Sequence, residues 1–445
     1  MKVIVVIFGA SSGLTVGYFA GGKFCVLVKA KIPFRQDANG IKYWPLAWLK
    51  KQLAAVMEYA QPGDIVAPAT WGADYAAFAD DSAVFGGMNL GWAKFYASVP
   101  EHYLKQVTDI IPAEELYLRT GGANVDWFQM YSQLKCDLGL QANVLLAKTT
   151  TGLIPMADVI TYLLTGQKGH DQTMLKSYGL TEPGWRKIYL QLFGSEIANK
   201  IAPWPVFPEN QLLTRPNGVR VCPTTHDSVP SRRVGFTLCP WDLWTGTWGG
   251  DALDLTAFPN VTPSKKSFGA NVAFEGIGNS AAAITNFGMF GTIWDAIKTE
   301  GGWPSYDAIA QSALEFLGAS EISMIMGNNP TPNLTRMMEH LEKTFSAGNW
   351  PLKAAYFITV VAQICKNGLE GTAKLFDLPK PVSVAVTGGW TENEAFLAQL
   401  ENLGIAPLIP PLATEATHAG VAAQALVMAD EANTFAEALE LLASM

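Results

Sequence analysis

Val3-Ile4-Val5-Val6-Ile7-Phe8-Gly9-Ala10-Ser11-Ser12-Gly13-Leu14-Thr15-Val16-Gly17-Tyr18-Phe19 reads as two strands joined by a glycine- and hydroxyl-rich turn. β-Branched and aromatic residues fill both arms, and neither arm has the spacing of an amphipathic helix. The turn therefore closes a hairpin. It is not the strand-to-helix junction of a Gly-x-x-x-x-Gly-Lys-Ser/Thr loop, and that loop's lysine is missing. Glycines in such a turn let backbone come close to an anion, while its amides and hydroxyls act as donors. A second turn of the same kind, Thr245-Gly246-Thr247-Trp248-Gly249-Gly250, interrupts another strand-like run. Alone, either turn reads as an ordinary hairpin; together they suggest two related lobes holding one phosphate chain.

Working outward, Phe24–Val28 is a third strand after the Gly21-Gly22 turn, and Trp48–Met57 has apolar residues at helical spacing. Gln61-Pro62-Gly63-Asp64 ends that helix before the strand Ile65-Val66-Ala67, so strand and helix begin to alternate as in an α/β domain. Ala157–Leu164 reads as a helix closed by Thr165-Gly166, and Pro183–Pro216 shows no regular period. Gly218–Ser228 reads as a strand delivering His226 and Asp227 at its carboxyl end, where α/β proteins place reactive groups. From Asp242 the pattern starts again, with a hairpin around Gly246, helices near 286–300, 305–318, 333–346 and 353–371, and the strand Val382–Val386. Gly388 and Gly389 then stand at a strand-to-helix junction that opens the helix Glu394–Leu403 through Asn393. Alanine-rich helices near 417–429 and 434–443 follow.

The 445 residues suit about two to three domains, and a 49% hydrophobic content gives them sizeable cores. Thirty-one Lys and Arg against 39 Asp and Glu give a formal net charge of −8, with no basic run, which argues against nucleic acid as a partner. Five scattered cysteines without a Cys-x-x-Cys pair argue for a reduced compartment and against structural zinc. The apolar run after Lys2 breaks at Gly9, too early for a secretion signal, and no stretch reaches the ~18 apolar residues of a membrane span. The expectation is a cytoplasmic protein with no membrane partner; a homodimer is compatible with these features.

Taken in order, the motifs resemble the FGGY family of carbohydrate kinases, and within it the rhamnulokinase-like branch, in the actin and sugar-kinase superfamily. Gly9-Ala10-Ser11-Ser12-Gly13 is similar to the first phosphate loop, Thr70-Trp71-Gly72-Ala73-Asp74 to the sugar-site strand, and Thr225-His226-Asp227-Ser228 to the general-base segment. Thr245-Gly246-Thr247-Trp248 is similar to the second phosphate loop, Gly388-Gly389 with Asn393 to the adenosine side, and Glu415-Ala416-Thr417-His418-Ala419-Gly420 to the family's Glu-Ala-Thr-x-x-Gly. The resemblance covers almost the whole chain. It implies two ribonuclease-H-like, actin-like ATPase lobes, residues 1–236 and 237–445, with a cleft between them, and phosphorylation of a ketose or polyol by ATP with Mg2+. An L-rhamnulose-like sugar is the nearest substrate.

It also implies roles. Asp227 is the general base for a sugar hydroxyl; without the resemblance it reads as an N-cap of the following helical turn. Thr70, Trp71, Asp74 and His226 are the sugar-side residues, with Trp71 as an apolar floor and Asp74 as a hydroxyl acceptor; the competing reading makes Trp71 core and Asp74 a turn residue. Gly9, Ser11, Ser12, Gly246 and Thr247 hold the phosphates, and Gly388, Gly389 and Asn393 the nucleoside. Asp158 and Asp171 read as helix-end caps outside the active set. Four features depart from the family pattern: Leu14 stands where the branch often has arginine, Trp390 where a third glycine is usual, Ile7 where an aspartate helps hold the magnesium, and an Asn-Ala-Thr stretch is absent near Asp171–Met174. The metal ligands are therefore not assigned, and a catalytically silent sugar- or nucleotide-binding protein is the alternative.

Overall fold

A computed structural model describes residues 1–9, 12–38, 40, 42–72, 74–79, 102–122, 129–181, 184–208, 211–245, 253–257, 261–277, 280–287, 290–317 and 349–445. The protein is α/β throughout and divides into two compact units, Met1–Arg233 with Pro259–Ala283 and Thr417–Met445, and Val234–Phe258 with Ile284–Ala416. The units are thus not the two contiguous stretches 1–236 and 237–445. Pro259–Ala283 joins the first unit because the Tyr117 hydroxyl donates to the Val272 carbonyl at 2.7 Å and the Phe274 N–H donates to the Gly121 carbonyl at 2.9 Å. Thr417–Met445 joins it through the Ser231 and Thr417 hydroxyls, 2.7 Å apart, and through Gly420, where an added Cβ would lie 2.2 Å from the Pro230 carbonyl oxygen.

In the first unit the strand Val3–Gly9 is buried on both faces, Val3 to Phe8 being no more than 5% exposed, as a strand inside a covered sheet must be. It pairs antiparallel with Gly13–Ala20, which pairs with Lys23–Ala30, giving the expected meander. On its other side lies Ile65–Thr70 in parallel, which pairs in parallel with both Arg220–Val221 and Thr225–His226. The sheet order is Lys23–Ala30, Gly13–Ala20, Val3–Gly9, Ile65–Thr70, Arg220–Val221, Leu213–Thr214. Helix Met156–Thr165 covers Ile65–Thr70 and packs on helix Leu46–Glu58. It ends at Gly166, whose φ of 73° is a left-handed cap.

Two sequence expectations change here. The run Gly218–Ser228 is two short strands, because Pro223 has no N–H for the ladder and the Thr224 N–H turns to the Thr161 hydroxyl at 2.8 Å. Within the aperiodic stretch 183–216 lies the helix Trp185–Ala198, which buries Ile188, Tyr189 and Leu192. Its period is hidden in the sequence by a break at Gly194, at φ 75° and ψ 175°.

The second unit repeats the same connectivity. Strand Trp241–Thr245 pairs antiparallel with Leu253–Ala257 on one side and parallel with Ser383–Gly388 on the other, and Ala406–Leu408 extends the parallel edge. Helix Trp350–Leu375 carries helices Phe290–Glu300, Tyr306–Leu314 and Glu394–Asn402 against it. The helix expected near 333–346 lies outside the described residues. Both units therefore present a hairpin whose first strand also has a parallel neighbour, which is the ribonuclease-H-like pattern. Among the described residues no helix is long and apolar enough to cross a membrane. The five cysteines form no disulfide.

Gly13 and Gly21 separate backbone strain from steric closeness. Both have positive φ, 79° and 60°, but a Cβ at Gly13 would lie 2.3 Å from the Ala30 carbonyl oxygen, whereas at Gly21 it would meet nothing within 4 Å. Each alanine substitution carries a left-handed cost of about 1–2 kcal/mol. In thermal or urea unfolding, Gly13→Ala is expected to lose clearly more stability than Gly21→Ala, the excess being the forced separation of the hairpin from the third strand.

Candidate active site

The site follows from strand register. Phe8 and His226 are both register partners of Thr70, from opposite sides of Ile65–Thr70, and all three strands run parallel. Their carboxyl ends therefore meet at one edge of the sheet, bringing Gly9, Trp71 and Asp227 to the same level. The Asp227 N–H donates to the Thr70 carbonyl at 2.9 Å and fixes the last residue before the helix Ser228–Phe236. The Thr70 hydroxyl is buried and has no hydrogen-bond partner among the described residues. Cross-strand partners share a face, so Ile7 stands with Thr15 and Ala69, on the side opposite Phe8, Thr70 and His226.

Asp227 is 13% exposed at its side chain and has a group of charged neighbours. His226 Nε2 lies 3.6 Å from Asp227 Oδ1, while His226 Nδ1 lies 3.5 Å from Glu275 Oε2. The Arg232 guanidinium donates to Glu275 Oε2 and, at 3.1 Å, to the Ser228 hydroxyl, which itself donates to Glu275 at 3.1 Å. The Ser177 hydroxyl is 3.3 Å from His226 Nδ1. Gly72 packs against the ring; a Cβ there would be 3.2 Å from His226 Cε1 and Nε2. Burial is the largest influence on Asp227 and pushes its carboxyl above the ordinary aspartate value; His226 and Arg232 oppose this and Glu275 adds to it. Burial pushes Glu275 upward too, but Arg232 and His226 outweigh it and hold Glu275 below its ordinary value.

The structure brings Trp71 and Asp74 together, around a third residue that the sequence did not suggest. Trp44 and Trp71 stack with centroids 4.6 Å apart at 15°, and both indoles donate to Asp74 Oδ2, at 2.6 and 3.1 Å. Asp74 is fully buried, and its carbonyl accepts the Met156 N–H at 2.9 Å and the Tyr178 hydroxyl. Asp74 thus ties two indoles to the strand end. Asp158 is not a solvated cap, whereas half-buried Asp171 is a cap as expected. Asp158 is buried 2.6 Å from His170 Nδ1, and Asp171 caps helix Gln172–Ser177 through the Met174 N–H at 2.9 Å, with burial pushing its carboxyl up to about 6.

At the first turn, Gly9 ends its strand opposite Gly13, and a Cβ on Gly9 would lie 2.1 Å from the exposed Ser12 hydroxyl. Ser11, Gly246 and Thr247 lie outside the described residues. Ile7 is 5% exposed and offers no oxygen, and its cross-strand neighbours Thr15 and Ala69 carry no carboxylate. No group of three or more His, Cys, Asp and Glu among the described residues could hold a metal. These residues do not fit a metal held by first-strand acid. In the second unit Gly388, at φ 87°, leads into the turn Gly389–Glu392, and a Cβ on Gly389 would meet nothing within 4 Å. Asn393 caps helix Glu394–Asn402 by accepting the Phe396 N–H at 3.1 Å. Trp390 packs edge-on against Phe396, centroids 5.0 Å apart, and lies near Trp294 and Phe357.

A carboxyl raised by burial destabilises the folded state when ionised. Relative to the unfolded chain, its contribution is favourable below the unfolded value and is lost as pH rises through the folded one. Asp227→Asn is therefore expected to raise the melting temperature at pH 7–8. The gain should shrink as pH falls toward about 4, where both states take up the proton; thermal melts across pH check the sign.

No family model matches the sequence, and no curated protein matches it. Solved structures match over nearly all of it. A carbohydrate kinase from Novosphingobium aromaticivorans superposes with a TM-score of 0.66 at 16% identity, covering 96% of this chain and 91% of that one. Gluconate kinase from Lactobacillus acidophilus gives a TM-score of 0.70 at 11% identity over 99% and 92% of the two chains. Plasmodium falciparum glycerol kinase with ADP gives 0.68 at 9% identity, again over 99% and 92%. The chain has the fold of these carbohydrate and glycerol kinases.

Proposed function

We propose that this protein is an ATP-dependent kinase of a small sugar, with Asp227 as the general base. The observation that carries the reading is Asp227 itself, a carboxyl of raised proton affinity at the carboxyl edge of the sheet, level with the Gly9–Gly13 turn. The matched solved structures support it, being those of a carbohydrate kinase, a gluconate kinase and a glycerol kinase.

In this reading a sugar hydroxyl donates its hydrogen bond to Asp227. As the oxygen attacks the γ-phosphorus, the proton passes to the carboxylate and the bond to the leaving oxygen of ADP breaks. Ser11, Ser12 and the amides around Gly9, with Gly246 and Thr247, stabilise the phosphates as fixed donors. His226 is placed on the sugar side beside Asp227, while Asp74 acts by holding Trp71 against the buried Trp44. Gly388 and Gly389 give the nucleoside close backbone, and Asn393 holds the helix entry behind them. ATP brings Mg2+ as its counter-ion, and the first strand adds no carboxylate to it. A ketose or polyol is the acceptor, L-rhamnulose being the sugar that the motif pattern favours, and a cytoplasmic setting suits such a substrate.

The test is ADP release with ATP, Mg2+ and a panel of L-rhamnulose, xylulose, gluconate and glycerol. Sugar-dependent release is expected, and Asp227→Asn should lower kcat by roughly 10²–10⁴-fold, the range of a general-base contribution. An unchanged rate in the variant removes Asp227 as base. No transfer to any acceptor favours a silent binding protein.

Position 7 allows a second measurement. Ile7→Asp is expected to lower the Mg2+ concentration giving half-maximal rate, while costing stability because the position is 5% exposed. Identical Mg2+ curves for the two proteins would show that position 7 plays no part in metal use.

A further inference from the structure

No sequence motif contains Glu275, yet it reaches the histidine beside the proposed base. It lies on strand Ala273–Ile277, which packs against helix Gln172–Ser177 of the same unit. Its Oε2 accepts from the Ser228 hydroxyl at 3.1 Å and from Arg232, whose side chain is 2% exposed. That anchored oxygen is 3.5 Å from His226 Nδ1, and the ring's other nitrogen is 3.6 Å from Asp227. The imidazole therefore lies between two carboxylates, with its ring face closed by Gly72.

A carboxylate beside Nδ1 favours a proton on that nitrogen and so sets which edge of the ring faces Asp227. The two acids are also unlike. Arg232 and His226 hold Glu275 below its ordinary value against its own burial, while burial pushes Asp227 above its ordinary value. Environments that push two neighbouring carboxyls apart divide their roles. The charged groups acting on Asp227 are His226 just before it, Glu275 from the facing strand and Arg232 from the following helix.

We propose that Glu275 is a positioning residue for the reaction: clamped by Arg232 and Ser228, it fixes His226 against Asp227 and supplies the standing negative charge beside which Asp227 receives the substrate's proton. The proposal rests on reading Asp227 as the base, and its test does not depend on turnover. Protein labelled with 13C at the aspartate carboxyl is titrated by NMR, the Asp227 signal being identified by its loss in Asp227→Asn. Glu275→Gln keeps an acceptor for Ser228 but removes the charge. It is expected to move the Asp227 midpoint to lower pH, and with an active sugar to move the acid limb of kcat/KM the same way with KM for ATP unchanged. Glu275→Asp keeps the charge and is expected to hold the midpoint near wild type. An Asp227 midpoint that stays in place in Glu275→Gln overturns the proposal, as does an equal fall in both variants, which would make Glu275 a packing residue. Should wild-type protein phosphorylate no acceptor, the base reading fails separately, and the titration still decides whether Glu275 governs Asp227.

Discussion

The parallel register through Thr70 is the constraint on which the site depends. Phe8 and His226 pair with the same residue, so the turn after Phe8 and the acid after His226 begin at one level of one sheet edge. A slip of one residue in the His226 pairing would turn His226 to the opposite face, where Ile7, Thr15 and Ala69 lie, and would break the Asp227 N–H bond to the Thr70 carbonyl, while a slip in the Phe8 pairing would reverse the faces of the first strand. The burial of Val3–Phe8 makes such a slip expensive, because it would exchange two tightly packed faces. Core packing in the first strand thus sets the position of a polar group more than 200 residues later in the chain.

Much of this was legible in the sequence where local chemistry decided the outcome. The apolar arms around Gly9–Gly13 predict a hairpin, and Gly166 predicts a helix end, because a strand period and a left-handed cap are properties of a few consecutive residues. Pro223 was legible as a residue type, but its effect on the ladder is masked by β-branched neighbours on both sides. Glu275, Arg232 and Trp44 were not legible. Each acts through a partner far away in sequence, Glu275 on Arg232 at a separation of 43 and Trp44 on Asp74 at a separation of 30, and no spacing rule reaches across such gaps. Asp74 shows the limit from the other side. Its residue type suggested a hydroxyl acceptor, while the fold gives one of its oxygens to two indoles.

The charges around His226 are arranged so that one group bears most of the burial cost. Buried ions are tolerated when paired, and Arg232 with Ser228 pairs Glu275. Asp227 keeps a raised proton affinity despite its neighbours, which a simple helix cap would not need, since a cap gains most when its oxygen is ionised and bonded to the first turn. A position that costs stability in its ionised form suits the proposed role of proton acceptor, a common trade between folding and activity.

Ile7 bears on the same balance at the phosphate end. An acid on the first strand would attract a cation, but it would also set a negative charge beside any phosphate bound at the turn. Isoleucine removes both effects and adds apolar burial between Thr15 and Ala69. In the proposed kinase reading, a phosphate at this turn meets no competing carboxylate from the first strand. The reading of Asp227 as base does not depend on position 7, because Asp227 follows a different strand, Thr225–His226.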